Sequence, residues 1–142
     1  RGQGRPARAA EEAAGGTGGA FVGGACCGRL IPGRIAFVLN RTAQAISILD
    51  EAGTYNAYVQ YDIYHAQRME GEICNTIRDL LPRIAHMQLA DTPGRHEPGT
   101  GEIHHRNLFQ HIDALGYTGW IGCEYKPKTT TVAGLGWLQQ QH

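Results

Sequence analysis

The chain has 142 residues with 13 basic and 13 acidic side chains, so it carries no formal net charge. That balance leaves no electrostatic footprint for nucleic acid or an anionic membrane surface, and no apolar run approaches the roughly 20 residues of a membrane span. The length suits one domain with a real core, but falls well short of the roughly 250 residues typical of a closed eight-fold β/α barrel.

Arg1 to Gly33 holds ten of the chain's 20 glycines, and its only carboxylates are Glu11 and Glu12. Gly/Ala-rich, aromatic-poor sequence buries too little apolar surface to offset the entropy of ordering it. This stretch therefore reads as irregular or disordered. Within it, Pro6 to Ala14 reads as a marginal helix. Ala20 to Val22 and Ile35 to Val38 read as weak strands, with a Pro32-Gly33 turn before the second. Adjacent Cys26-Cys27 lacks the spacer of a zinc knuckle. With Cys74, and with Cys123 read as buried in a strand, these are expected to be reduced thiols of a cytoplasmic protein. With no initiator Met and no secretory leader, the sequence reads as starting inside a longer gene.

From Leu39 onward the pattern is regular. Asn40 or Thr42 can cap a helix over Ala43 to Asp50, closed near Gly53. Ala57 to Asp62 follows as a strand. A helix from Glu70 to Leu80 places Ile73, Ile77 and Leu80 at helical spacing, and Pro82 stops it. Ile84 to Ala90 is the second strand. Asp91 to His105 is a long polar loop. Asn107 to Leu115 is a helix with Leu108, Ile112 and Leu115 on one face, ended by Gly116. Trp120 to Tyr125 is the third strand. Thr131 to Gln140 is a last helix, with Val132, Leu135, Trp137 and Leu138 on or near one face despite Gly134 and Gly136.

Helix and strand alternate throughout, which predicts an α/β fold with a parallel sheet and right-handed crossovers. Three such strands with four helices cannot close around an interior. Open strand edges and half-covered faces predict poor solubility or self-association into a homo-oligomer.

Strand side chains alternate with period two. Tyr58, Gln60 and Asp62 therefore share a face, as do His86 and Gln88, and Trp120, Gly122 and Glu124. Active groups of β/α proteins collect at the C-terminal ends of parallel strands. Asp62, Gln88 and Glu124 stand at three successive such ends. Two carboxylates and an amide oxygen are hard ligands suited to Mg2+ or Mn2+, although a strand-end Asp also commonly caps the next helix. His65, just past its strand, could contact a substrate oxygen or act as an acid. Arg95 could reach a substrate carboxylate with its planar fork. His86 reads as a hydrogen-bonded interior histidine. His96, His104 and His105 fit no zinc spacing and read as solvated loop residues, as do Glu97 and Glu102.

Four motifs carry a family resemblance. They are Gln60-Tyr61-Asp62-Ile63-Tyr64-His65 with Gln67-Arg68-Met69-Glu70-Gly71; His86-Met87-Gln88-Leu89-Ala90-Asp91; Arg95-His96-Glu97-Pro98-Gly99-Thr100-Gly101-Glu102; and Gly119-Trp120-Ile121-Gly122-Cys123-Glu124-Tyr125-Lys126-Pro127. Together they closely resemble the hydroxypyruvate isomerase family of the xylose isomerase-like TIM barrels. The resemblance begins near residue 38. It implies the C-terminal portion of a (β/α)8 barrel, about three β/α units plus a preceding helix. Residues 1–37 then form a separate low-complexity segment and residues 38–142 the partial barrel domain.

The activity implied is interconversion of hydroxypyruvate and 2-hydroxy-3-oxopropanoate, a small keto acid and its aldehyde isomer. Asp62, Gln88 and Glu124 would hold a divalent metal (Mg2+ or Mn2+), and Glu124 would also transfer the proton. His65 and Arg95 would contact the substrate. In such chemistry the metal polarises both oxygens and stabilises the enediolate, while a carboxylate on each side of the substrate plane moves the proton.

The sequence departs from the family pattern in one respect. The family places a second active-site glutamate at the end of an earlier strand, before the Leu39–Gly53 helix. No carboxylate occurs here between Glu12 and Asp50, and Arg29 to Val38 stands where that strand should be. Residues 1 to about 35 are accordingly expected to be non-homologous, through a shifted frame, an alternative exon or a mis-joined gene. Two further readings stay open: a non-catalytic fragment or partner-binding module, and a sugar epimerase of the same superfamily.

Overall fold

In the computed structural model the described residues are 20–24, 29–31, 34–36, 39–53 and 56–141. The expected helix over Pro6 to Ala14, the Cys26-Cys27 pair and the proposed domain boundary at residues 37 and 38 lie outside them.

The strand and helix alternation produces a four-stranded parallel sheet. Its strands are β1 (Ala20–Gly24), β4 (Ala57–Asp62), β5 (Ile84–Leu89) and β6 (Ile121–Cys123), in that spatial order. A separate antiparallel hairpin joins β2 (Arg29–Ile31) to β3 (Arg34–Ala36). The sheet has one strand more than the three consecutive β/α units predict. The expected weak strand at Ala20 to Val22 is longer than anticipated and pairs along β4, with Ala20 opposite Ala57 and Gly24 opposite Tyr61.

Helix α1 (Thr42–Ala52) crosses back to β4. Its cap differs from expectation. Arg41, not Asn40 or Thr42, takes the N-cap position, and Gln44 Oε1 accepts the N–H groups of Asn40 and Arg41 at 3.0 Å each. Thr42 instead donates its N–H and hydroxyl to Glu70 Oε1 at 2.7 Å each. Gly53 ends the helix at φ 60°, in the left-handed region that glycine enters freely.

The largest correction follows β4. Residues 63–69 form a helix, α2 (Ile63–Met69), that starts directly at the strand end. The helix expected from Glu70 starts later, as α3 (Ile73–Leu80), and a 3-10 turn over Leu81–Arg83 carries Pro82. Helix α4 (His105–Ala114) precedes β6. The expected last helix is one α turn, α5 (Thr131–Gly134), followed by a 3-10 segment over Leu135–Gln141. Of its predicted apolar face only Trp137 is buried; Val132, Leu135 and Leu138 are exposed.

The helices cover one face of the sheet. Val59, Tyr61, Met87 and Leu89 are buried with Ala45 and Leu49 of α1, Ile77 of α3, and Leu108 and Ile112 of α4. The opposite face, which a closed barrel turns inward, is only partly covered: Tyr58 is 36% exposed and Trp120 48%, while Asp62 at the strand end is buried. Cys123, expected to be buried, is exposed on the short strand β6. No helix among the described residues is long and apolar enough to cross a membrane.

Candidate active site at the strand ends

The parallel register fixes the relative heights of the three oxygen-bearing groups. Asp62 stands opposite Gln88, and Gln88 opposite Gly122. Glu124 lies two residues beyond Gly122, one same-face step of roughly 6.6 Å further along the strand direction. Its N–H donates to the Leu89 carbonyl at 2.9 Å, which continues the β5–β6 ladder past the strand end. The three groups thus gather on the open face at the C-terminal end of the sheet.

Asp62 both closes β4 and caps α2: its Oδ1 accepts the His65 N–H at 3.2 Å, and Oδ2 lies 3.7 Å from His65 Nε2. The cap uses Oδ1 and leaves Oδ2 beside the His65 imidazole. Burial pushes the Asp62 carboxyl up to about 6; the His65 N–H opposes the rise, the Glu124 charge adds to it and Arg95 works against it. His65 is buried on the first turn of α2, not in a loop. Desolvation holds its imidazole below the usual value, and Arg95 presses it further down.

Gln60 and Gln88 share the open face, and the Gln60 side-chain amide donates to Gln88 Oε1. Behind them His86 is half-buried, its Nε2 3.1 Å from where a Cβ on Gly122 would sit. Glycine at 122 leaves that imidazole its space.

Arg95 projects from the β5–α4 loop at φ 56°. Its guanidinium lies 3.1 Å from Glu124 Oε1 and 5.2 Å from the centre of the Tyr64 ring. The loop is held by Asp91, a buried residue that sequence reasoning left without a role. Its Oδ1 accepts the N–H groups of Thr92 at 2.8 Å and Ile103 at 3.1 Å. Its Oδ2 accepts those of Gly99 at 2.9 Å and Gly101 at 2.8 Å. A Cβ on Gly101 would fall 2.0 Å from the Thr92 carbonyl oxygen, so the closed loop requires glycine there.

The loop histidines are not simply solvated. His105 is buried, with Nδ1 3.0 Å from the Ile103 carbonyl and 3.7 Å from Asp91 Oδ2. His104 caps α4 by accepting the Asn107 N–H. His96 Nδ1 meets the Lys126 carbonyl at 2.7 Å. Glu97 is half-buried and accepts the Lys128 N–H at 2.9 Å, tying this loop to the one after β6.

Among the described residues no three His, Cys, Asp or Glu side chains come together as a metal cluster. The donor set at the strand ends has a different chemistry: two carboxylates and one amide oxygen. Each keeps acceptor capacity after its protein contacts, since a carboxylate offers about four lone-pair sites and an amide oxygen two. All-oxygen donors fit a hard divalent cation that fills its remaining positions with water or substrate.

Residues 27–141 match the xylose isomerase-like TIM barrel family. Hydroxypyruvate isomerase of Escherichia coli (strain K12) is 54% identical over 108 residues, which cover 76% of this chain and 41% of that protein. A 2-oxo-tetronate isomerase of Cupriavidus necator is 46% identical over 103 residues, covering 72% of this chain and 40% of that protein. The crystal structure of an AP endonuclease, family 2, from Brucella melitensis superposes with a TM-score of 0.71 at 36% identity, over 73% of this chain and 40% of that one. The chain spans about two fifths of the length of these relatives.

Proposed function

The chain belongs to the xylose isomerase-like TIM barrel family, and on that premise we propose that it is the strand-end part of an isomerase that acts on a small 2-oxo acid. The observation that carries this reading is the gathering of Asp62, His65, Arg95 and Glu124 at one end of the sheet, with Gln88 opposite Asp62. The names of the two isomerases quoted above support the substrate class, because hydroxypyruvate and 2-oxo-tetronate are both 2-oxo acids.

Asp62, Gln88 and Glu124 would hold Mg2+ or Mn2+, which when bound polarises the substrate carbonyl and the neighbouring hydroxyl. The remaining work falls to the chain's own side chains. With hydroxypyruvate as substrate, Glu124 removes a proton from C3, beside the carbonyl, and returns it at C2. The hydroxyl proton passes from O3 to O2, and the product is 2-hydroxy-3-oxopropanoate. Arg95 can position Glu124 through its ion pair and meet the substrate carboxylate with its remaining N–H donors. Buried His65, kept neutral, can hydrogen-bond a substrate oxygen without adding charge.

Proton exchange tests this reading, because it needs one base and not a complete barrel. Hydroxypyruvate in D2O with Mn2+ and the purified chain should lose its C3 proton signal faster than in Mn2+ buffer alone, and Glu124→Gln should remove the difference. Equal exchange with the variant, or none above buffer, overturns the proposal. Net turnover is expected to be low, since no carboxylate between Glu12 and Asp50 is there to act from the other side of the substrate.

A further inference from the structure

Arg68 and Arg95 approach the same aromatic ring. Tyr64 and Arg68 are four residues apart on α2 and so share a helix face. The Arg68 guanidinium lies 5.4 Å from the Tyr64 ring centre and donates to the Tyr64 hydroxyl at 3.1 Å. Arg95, from a loop some thirty residues later, lies 5.2 Å from that ring centre. The ring is buried and packs edge-on against His65, with 5.0 Å between centroids. Two guanidinium groups are thereby set around one rigid post beside the strand-end carboxylates.

Their electrostatic situations differ. Arg95 is already ion-paired with Glu124 at 3.1 Å. Arg68 has no carboxylate within 4 Å among the described residues; it donates to the Tyr64 hydroxyl and lies over the Tyr64 ring. It is exposed, with N–H donors left over from the fork. A cation held against an aromatic face, yet not neutralised, is suited to an incoming anion.

We propose that Arg68 is the specificity-determining cation of this site: parked on Tyr64, it receives the carboxylate of a 2-oxo acid substrate, which Arg95 contacts from the other element. This deepens the isomerase reading and rests on it. The fork favours a planar carboxylate over a hydroxymethyl group at the same position, so it separates keto acids from neutral ketoses.

The test compares hydroxypyruvate with dihydroxyacetone, which carries a hydroxymethyl group in place of the carboxylate. Both are titrated against the full chain with NMR detection. The unsubstituted chain should prefer hydroxypyruvate. Arg68→Gln should weaken hydroxypyruvate binding about tenfold or more, as expected for loss of a charge-assisted hydrogen bond, and leave dihydroxyacetone unchanged. Arg68→Lys should restore part of the preference. If the unsubstituted chain shows no preference, the 2-oxo acid reading falls and this assignment with it. If it does prefer hydroxypyruvate but Arg68→Gln binds it equally well, or loses both ligands alike, the role of Arg68 alone is overturned.

Discussion

The Gln60 amide donates to the side-chain oxygen of Gln88, diagonally across the β4–β5 pair, on the face where Asp62 also stands. An amide has two nearly isosteric ends, and only its oxygen can ligate a cation. The Gln60 donor selects the rotamer that presents oxygen, so Gln60 orients a candidate ligand without touching the ion. Gln60→Leu removes that selection while keeping the volume roughly constant. Mn2+ affinity measured by calorimetric titration should fall about tenfold to a hundredfold, the range seen when a ligand loses its orienting partner. Unchanged affinity would show that Gln88 does not serve as a ligand.

Asp62 gives a pH-dependent signature. Its carboxyl is pushed up to about 6 in the folded chain, against about 3.9 unfolded. Between those values the folded state binds more protons, so the Asp62 contribution to stability is full below about pH 4 and is lost as pH rises through 6. Asp62→Asn removes the charge and its dependence. The variant should exceed the parent in stability by about 2 kcal/mol at pH 8, with the gap closing toward pH 4. Denaturant melts of both proteins across that range measure the gap. Mn2+ competes with the proton for this carboxylate. Its stabilisation of the parent should therefore grow with pH over the same window and shrink in the variant.

Much of this organisation was legible in the sequence because it is local. Ala57 to Tyr61 alternates between a covered and a less covered face, and the structure gives β4 the limits expected, Ala57 to Asp62. Helix α2 was not legible, since Ile63, Tyr64, His65 and Ala66 are all buried. Four consecutive buried positions, one of them a histidine, leave no 3.6-residue stripe to read. Burial of His105 depends on Asp91, fourteen residues earlier, and no local pattern encodes that contact. The last helix failed for a local reason that the sequence did show: Gly134 and Gly136 lower helix propensity where few contacts compensate.

Asp91 gathers four backbone N–H groups on one buried carboxylate. Asp91→Asn keeps the shape, but turns an NH2 group toward two of those donors. Orphaned buried donors cost about 1–3 kcal/mol each, so a loss of roughly 3 kcal/mol is expected on thermal or denaturant melting. Arg95 rides on this loop and should lose its fixed place over Tyr64, seen as a change in the Tyr64 ring resonances. A melt within 0.5 kcal/mol of the parent, on the scale of ordinary surface changes, would show that the loop is held by other contacts.

The uncovered side of the sheet predicts self-association. Tyr58 and Trp120 stand exposed on the face that a closed barrel buries, and β1 and β6 are the outer strands of the four. Unpaired strand edges and large exposed apolar groups are both association surfaces. Sedimentation velocity over a hundredfold range of concentration should show mass growing with concentration. Trp120→Lys should reduce that growth in two ways, by shrinking the apolar patch and by placing a charge beside β6, without touching the covered core of Val59, Tyr61, Met87 and Leu89. A monomer at every concentration, unfolding in one sharp transition, would mean that the open face is stable in water as it stands.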